Sequence, residues 1–346
     1  MLLQEANKMN KEKKTLLSGL NDESFVILFM VIIMLVVFGI ACILVPNFGS
    51  ASNIFAILTN NWYLVVLGIG ATFIVKTGNM DMSLGGILAM ANVLVAWFCQ
   101  RPDATRPLDI GFGMPFWEAA VVTILCCMVI GLLNAFFIAK LHVASLIITL
   151  GTGFLARGVA QIVAHGSVRC NNIPAEFGNI GKGFVGNTPI KYSVVLMLAI
   201  LIIFLIIEKK TVFGRTTYFV GANKQAAKIS GLKPDKHLAM LFIINSVLAA
   251  LVGIMLASEF MAGSASKGEG YEFDALCVTL LGGTSASGGF GSVLGAFIGA
   301  MLFSMVTNAS GGLLLSPGWT YVLKGGVTFF AIIAQRIALD KRKGLS

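Results

Sequence analysis

Charged residues are scarce in this sequence. Asp, Glu, Lys and Arg make up 12% of its 346 residues, where a soluble domain carries about 25%. Hydrophobic residues make up 57% and the mean hydropathy is +0.87. Together these exclude a soluble domain and imply a polytopic membrane protein. Catalytic signatures are missing as well. No G-x-x-x-x-G-K-[ST] is present, so the glycine-rich stretch 282–291 has no lysine with which to cradle nucleotide phosphates. There is no H-E-x-x-H, nucleophile elbow or clustered metal ligand set. The chain is expected not to be an enzyme and to bind no cofactor or metal directly. His142, His165 and His237 all flank apolar spans. The six cysteines show no C-x-x-C spacing: Cys42, Cys126, Cys127 and Cys277 lie in apolar spans, and a pairing of Cys99 with Cys170 rests on loop placement alone.

What is present is a series of apolar runs. They read as ten spans, at 25–45, 55–75, 84–98, 116–139, 144–164, 192–207, 238–257, 273–282, 291–307 and 319–333. The fold class expected is all-α, a polytopic transmembrane helix bundle with some interrupted helices. A polar tail (1–24) precedes the transmembrane domain (25–338), and a short tail (339–346) follows it. The first apolar run is not followed by a small-residue cleavage pattern and reads as a retained span. The net charge of +9 is not a nucleic-acid footprint, because Lys and Arg sit in short loops between spans. With both termini inside, seventeen of them face the cytosol and six face outward, which selects that topology.

Two glycine-rich segments interrupt the spans. TGNMDMSLGG (77–86) ends one span and opens the next, and GGTSASGGFG (282–291) follows a span of half the usual length. Such backbone at membrane depth must be buried in protein or line a wet cavity, and paired interruptions point to a repeated transporter and its path. Asn79, Asp81, Ser83, Gly283, Ser285 and Gly288 are therefore candidate helix-break or path residues. Asp81 reads either as a substrate contact or as a cap accepting from backbone N–H groups near Gly85, close to the cytosolic face. Gly291, Gly295 and Gly299 form a small-residue face for close helix packing.

The one long cytosolic loop, 208–237, specifies its own helix. Asn223 is an N-cap, KQAAKIS makes about two turns, Gly231 supplies a left-handed stop, and Pro234 prevents continuation. Ala226, Ala227 and Ile229 give that helix a small apolar face, suited to docking into a groove on another protein; a plain surface loop is the alternative. Arg157 and Lys324 interrupt spans and read as path residues or as residues with a buried partner or snorkelling head. Asn92, Asn134 and Asn245 read as sugar contacts or, more commonly for their type, interhelical bonds. Trp62, Trp97, Trp117 and Trp319 are expected in an interfacial belt.

The loop FGRTTYFVGANKQAAKISGLK resembles that of permeases of the ribose, xylose and galactoside class of ABC importers, where the pattern is FGR followed by GxNxxAAxxSG. TGNMDMSLGG resembles the family's TGGIDLSVG. ITLGTGFLARG, LLGGTSASGGFGSVLGAFIGA and YVLKGGVTFFAII also correspond, so the likeness covers nearly everything after residue 50. Asn79, Met80 and Met82 depart from the family's residues, and the loop 166–191 has no counterpart. The resemblance implies a bacterial inner-membrane permease that pairs with a second permease subunit, a homodimer being favoured. It implies a cytosolic ABC ATPase that hydrolyses the ATP, and an extracytoplasmic binding protein that delivers a monosaccharide. It makes Gly214, Arg215, Gly221, Asn223, Ala226, Ala227, Ser230 and Gly231 the ATPase-coupling loop. A branched-chain amino-acid ABC permease and an ion-coupled secondary carrier remain as alternatives; the latter would need a membrane carboxylate, for which Asp81 and Glu118 are the candidates near span ends.

Overall fold

The computed structural model describes residues 22–101, 111–165 and 173–343. The tail through residue 21, Cys170 and residues 344–346 lie outside them. In lipid every backbone N–H and C=O must be satisfied within its own segment, and each of the ten expected apolar runs is a helix. These are α1 (Asp22–Leu44), α2 (Ala51–Lys76), α3 (Leu84–Cys99), α4 (Phe116–Asn134, extended by a π turn, Ala135–Lys140) and α5 (Ser145–Val163). A short α6 (Gly178–Lys182) precedes α7 (Tyr192–Lys210). Two more helices, α8 (Val212–Ala222) and α9 (Lys224–Ile229), lie between α7 and α10 (Pro234–Phe260). The chain ends with α11 (Tyr271–Leu281), α12 (Val293–Gly312) and α13 (Pro317–Lys343). Eight of these helices are long and apolar enough to cross a membrane; α3 and α11 are shorter. The protein is a multi-pass membrane protein. The segment from 339, expected as a tail, continues α13 through Lys343.

Burial sorts the helices into a centre and a shell. Nearly all of α3 is buried, as are most of α2, α10 and α12. By contrast, α1, α5 and α13 present Leu35, Phe154, Leu155 and Phe330 outward. Because lipid is as apolar as leucine, the centre is set by close approach and polar pairing. Cβ atoms added at Gly295 and Gly299 would land on the backbone of α11 at Gly282 and Val278, which is the packing face expected there. Asn92, Asn134 and Asn245 all bond between segments. Asn92 donates to the Gly253 carbonyl at 3.0 Å, Asn134 to Ser83 Oγ at 3.0 Å, and Asn245 to Asp81 at 2.7 Å. Trp62, expected at an interface, is 1% exposed in the core; Trp117 and Trp319 do face outward.

The two shorter helices, α3 and α11, meet N-terminus to N-terminus. A Cβ on Gly85, in the first turn of α3, would land on the Glu272 carboxylate in the first turn of α11, and the Gly268 carbonyl lies beside it. Each shorter helix bonds the long helix before the other: Asn92 of α3 reaches Gly253 of α10, and Thr279 of α11 reaches the Gly68 carbonyl of α2 at 3.2 Å. The break after α2 is therefore matched by the loop 261–270 before α11. It is not matched by GGTSASGGFG, which is a turn at the Lys76 end of the bundle, where the Gly289 N–H donates to the Lys76 carbonyl at 2.8 Å. Glycine spacing alone did not distinguish a break within the bundle from a tight turn at its end.

Candidate functional site

Two linked sites emerge. The first is a junction where α8, the end of α2 and the turn 283–291 converge. Thr211 caps α8 by accepting from the Gly214 N–H at 3.3 Å. Gly214 and Gly221 lie seven residues apart on one face of α8, which brings them into register. A Cβ at Gly214 would strike the Ile207 and Glu208 carbonyls, and one at Gly221 the Lys76 carbonyl. Gly288, in left-handed backbone at φ 85°, lets the turn lie against Gly78. Ser285 bonds Ser287 at the turn's edge, and Gly283 packs against Val26 and Gln335. Beneath this seam, Lys76 donates to Glu208 at 2.7 Å, with the two side chains 5% and 8% exposed. Glu208 also accepts from the Val293 N–H at 3.0 Å, at the N-terminus of α12, where negative charge is favoured. One carboxylate thus ties together α2, α7 and α12.

Helix α9 hangs from that junction with the expected caps. Asn223 accepts from the Ala226 N–H at 2.9 Å. Gly231, at φ 83°, donates to Lys228 at 3.1 Å while Leu232 donates to Ala227 at 3.1 Å; this is the paired closing pattern of a left-handed helix stop. Lys224 pairs with Asp235 at 2.9 Å and ties α9 to the start of α10. The apolar face divides, however. Ala227 turns inward and is 4% exposed, whereas Ile229 is 87% exposed; Ala226 and Ser230 are exposed with it. Ala227 seats the helix on its own subunit, so the surface offered outward centres on Ala226 and Ile229. Arg215 is exposed on α8 and lines a hollow of about 780 Å³ with Lys209 and Tyr218.

The second site is the interior break. Met80 and Met82 donate to Ser145 at 3.1 Å and Thr149 at 3.0 Å on α5, which holds the chain extended as it leaves α2. Asn79 folds back on Thr77. Asp81 is 7% exposed. It accepts from the Ser83 N–H at 2.9 Å and its hydroxyl, and from Asn245. Ser83 also accepts from Asn134, which in turn accepts from Thr152 at 2.6 Å. Asp81 is therefore not a cap reaching Gly85. Its partner Asn245 lies eleven residues into α10, about 16 Å along that helix. Asp81 and Ser83, two of the three candidate path residues here, serve to satisfy a buried break.

Sequence reasoning missed several residues. Glu208 was visible only as an acid closing an apolar span, Lys76 only as a loop charge, and α8 as loop. Glu272 and Asp274, in the first turn of α11, are further membrane carboxylates. Asp274 pairs with Lys324 at 3.1 Å, and Arg157 donates to the Ala265 and Gly268 carbonyls at 3.0 and 3.2 Å. Both cations in the spans thus have buried partners.

The comparisons with known proteins agree with this architecture. A family model described as "Branched-chain amino acid transport system / permease component" matches residues 53–332. The chain is 31% identical over 300 residues to a ribose import permease protein of Bacillus subtilis, covering 86% of this chain and 88% of that one. It is 28% identical over 338 residues to a galactose/methyl galactoside import permease protein of Salmonella typhimurium, covering 96% and 98%. It is 30% identical over 299 residues to an inner membrane ABC transporter permease protein of Escherichia coli, covering 84% and 86%. No solved structure matches the chain.

Proposed function

The chain belongs to the permease-component family of branched-chain amino acid transport systems, and on that premise we propose that it is the inner-membrane permease of an ATP-driven importer for a monosaccharide. The observation that carries this reading is the likeness to sugar import permeases along nearly the whole chain. Docking to a cytosolic ATPase is supported by the resemblance of this loop to the coupling loop of sugar ABC permeases and by a capped α9 that leaves Ala226 and Ile229 exposed. Two chains enclose the path in this reading. Support comes from Gly151 and Gly158 on α5 and Gly325 and Gly326 on α13, at each of which a Cβ would meet nothing within 4 Å. Open glycines along spanning helices are where another backbone can approach. The family's description makes a branched-chain amino acid the second reading.

Uptake decides between them. Cells producing the chain with its ATPase and binding protein are expected to accumulate labelled ribose, galactose, xylose or arabinose; accumulation of leucine alone would overturn the sugar reading. A coupling variant tests the docking face. Ile229→Asp is expected to cut uptake and ATPase co-purification by at least about tenfold, the scale of a lost hot spot, with normal membrane insertion. Retention of both by Ile229→Asp would remove α9 from the contact.

A further inference from the structure

The ends of α1, α2 and α12 farthest from the coupling helices enclose a hollow of about 900 Å³. It follows α2 from its N-terminus to Tyr63, twelve residues into a 26-residue helix, a depth of about 18 Å. The hollow therefore reaches the middle of the bundle. Tyr63 bounds its inner end, and the Tyr63 ring lies against Tyr271 with centroids 4.6 Å apart and planes 11° from parallel. Tyr271 is the first residue of the half-length α11, so the hollow ends where the two shorter helices meet.

The lining mixes polar with apolar groups and is uncharged. Asn47, Asn60, Asn61 and Asn308 contribute to it, and none of its residues carries a charge. Asn61, which also lines the hollow, donates to the Ile57 carbonyl at 3.2 Å. The side-chain amides of Asn47, Asn60 and Asn308 have no partner among the described residues. An amide presents a donor and an acceptor together, which matches a hydroxyl, itself both. A neutral wall gives no counter-charge to the ammonium and carboxylate of an amino acid, whose desolvation then goes uncompensated. A tyrosine face at the floor offers an apolar surface to a sugar ring.

We propose that this hollow is the entry subsite of the transport path, that it takes an uncharged polyhydroxylated solute through Asn60, Asn61 and Asn308, and that the stacked Tyr63 and Tyr271 close its floor. The inference rests on the sugar reading above and adds the residues that select for it.

The test pairs uptake with readouts that do not depend on the sugar. Asn60→Leu combined with Asn308→Leu is expected to lower uptake of labelled ribose, galactose, xylose or arabinose, whichever the unsubstituted importer carries, by about tenfold, the effect of one hydrogen bond's net worth. Association with the ATPase and with the binding protein should stay unchanged. Asn60→Gln, which keeps the amide, is expected to retain most uptake. Independently of activity, Asn308→Cys is expected to react from outside with a membrane-impermeant maleimide, counted above the unsubstituted chain. If the unsubstituted importer carries none of the four sugars, the sugar reading itself fails and this inference with it. If it carries one and the leucine variant matches it, or Asn308→Cys is not labelled, the inference alone is overturned. Loss of binding-protein association in the leucine variant would overturn it too, by making the hollow a docking face.

Discussion

Gly221→Ala is expected to abolish most transport, while Gly39→Ala leaves transport intact. Both substitutions replace glycine within a helix, where alanine is intrinsically favoured by about 1 kcal/mol. Propensity alone therefore predicts a gain at both positions, and the sign of the result separates propensity from packing. At Gly39 a Cβ meets nothing within 4 Å. At Gly221 it would land on the Lys76 carbonyl oxygen, with the Gly289 N–H 2.7 Å away. Those two groups already bond each other at 2.8 Å, and both are backbone, so no flexible side chain can yield. Relief requires α8 to lift from the end of α2, at an overpacking cost of about 1–3 kcal/mol. Because α9 follows α8 after the single residue Asn223, lifting α8 re-aims the coupling helix. Uptake is expected to fall at least about tenfold, equivalent to roughly 1.4 kcal/mol, with surface expression retained. Full uptake by Gly221→Ala would show that the seam between α8 and α2 is not held as tightly as the structure has it.

Breaking the ion pair of Lys76 and Glu208 on one side only is the second expected large effect. The side chains are 5% and 8% exposed and 2.7 Å apart. Removal of one partner strands the other charge in the interior, which costs about 3–5 kcal/mol. Lys76→Met leaves the carboxylate with the Val293 N–H alone. Glu208→Gln keeps an acceptor for Val293 but strands the ammonium near the Phe73 ring, 5.9 Å from its centroid. Replacement of both should recover much of the loss, because no unpaired charge then remains. Thermal melting of the detergent-purified protein, arranged as a double-mutant cycle, measures this. Each single variant is expected to melt far below the parent, with the double variant between. Additive losses would mean that the two side chains do not act on each other.

The parts of the fold readable in the sequence are those governed locally. The ten apolar runs became helices at nearly the expected places, because a segment in lipid has no solvent to satisfy its backbone. Asn223, Gly231 and Pro234 bounded α9 as expected, since capping involves only neighbours a few residues apart. The inward turn of Ala227 was not readable. A two-turn helix carries too few side chains to declare a face, and its seat is chosen by the α8 and α10 surfaces beneath it. Trp62 was misplaced for a related reason: an aromatic near a span end suits an interface equally well until a neighbour covers it. Asp81 has the sequence context of a cap, a carboxylate just before a helix, whereas here Asn245, 164 residues away, draws it into the interior. The candidate site divides the same way. Gly221 was recognised through resemblance and Gly288 through the glycine-rich interruption, but their closeness to Lys76, and the role of Glu208, were not.

By itself the sequence determined a multi-pass helical membrane protein with short interrupted elements and a capped helix in its one long loop. Length, apolarity, and glycine and asparagine placement act over a few residues, and lipid leaves the backbone no alternative to the helix. Only the tertiary structure decided which break faces which, that α3 and α11 meet at their N-termini, and that an uncharged hollow ends on the stack of Tyr63 and Tyr271. Helices uniformly apolar around their circumference carry no pattern that names a partner. Partner choice falls instead to glycines that permit backbone contact and to buried polar groups that must each find a complement, often more than a hundred residues away.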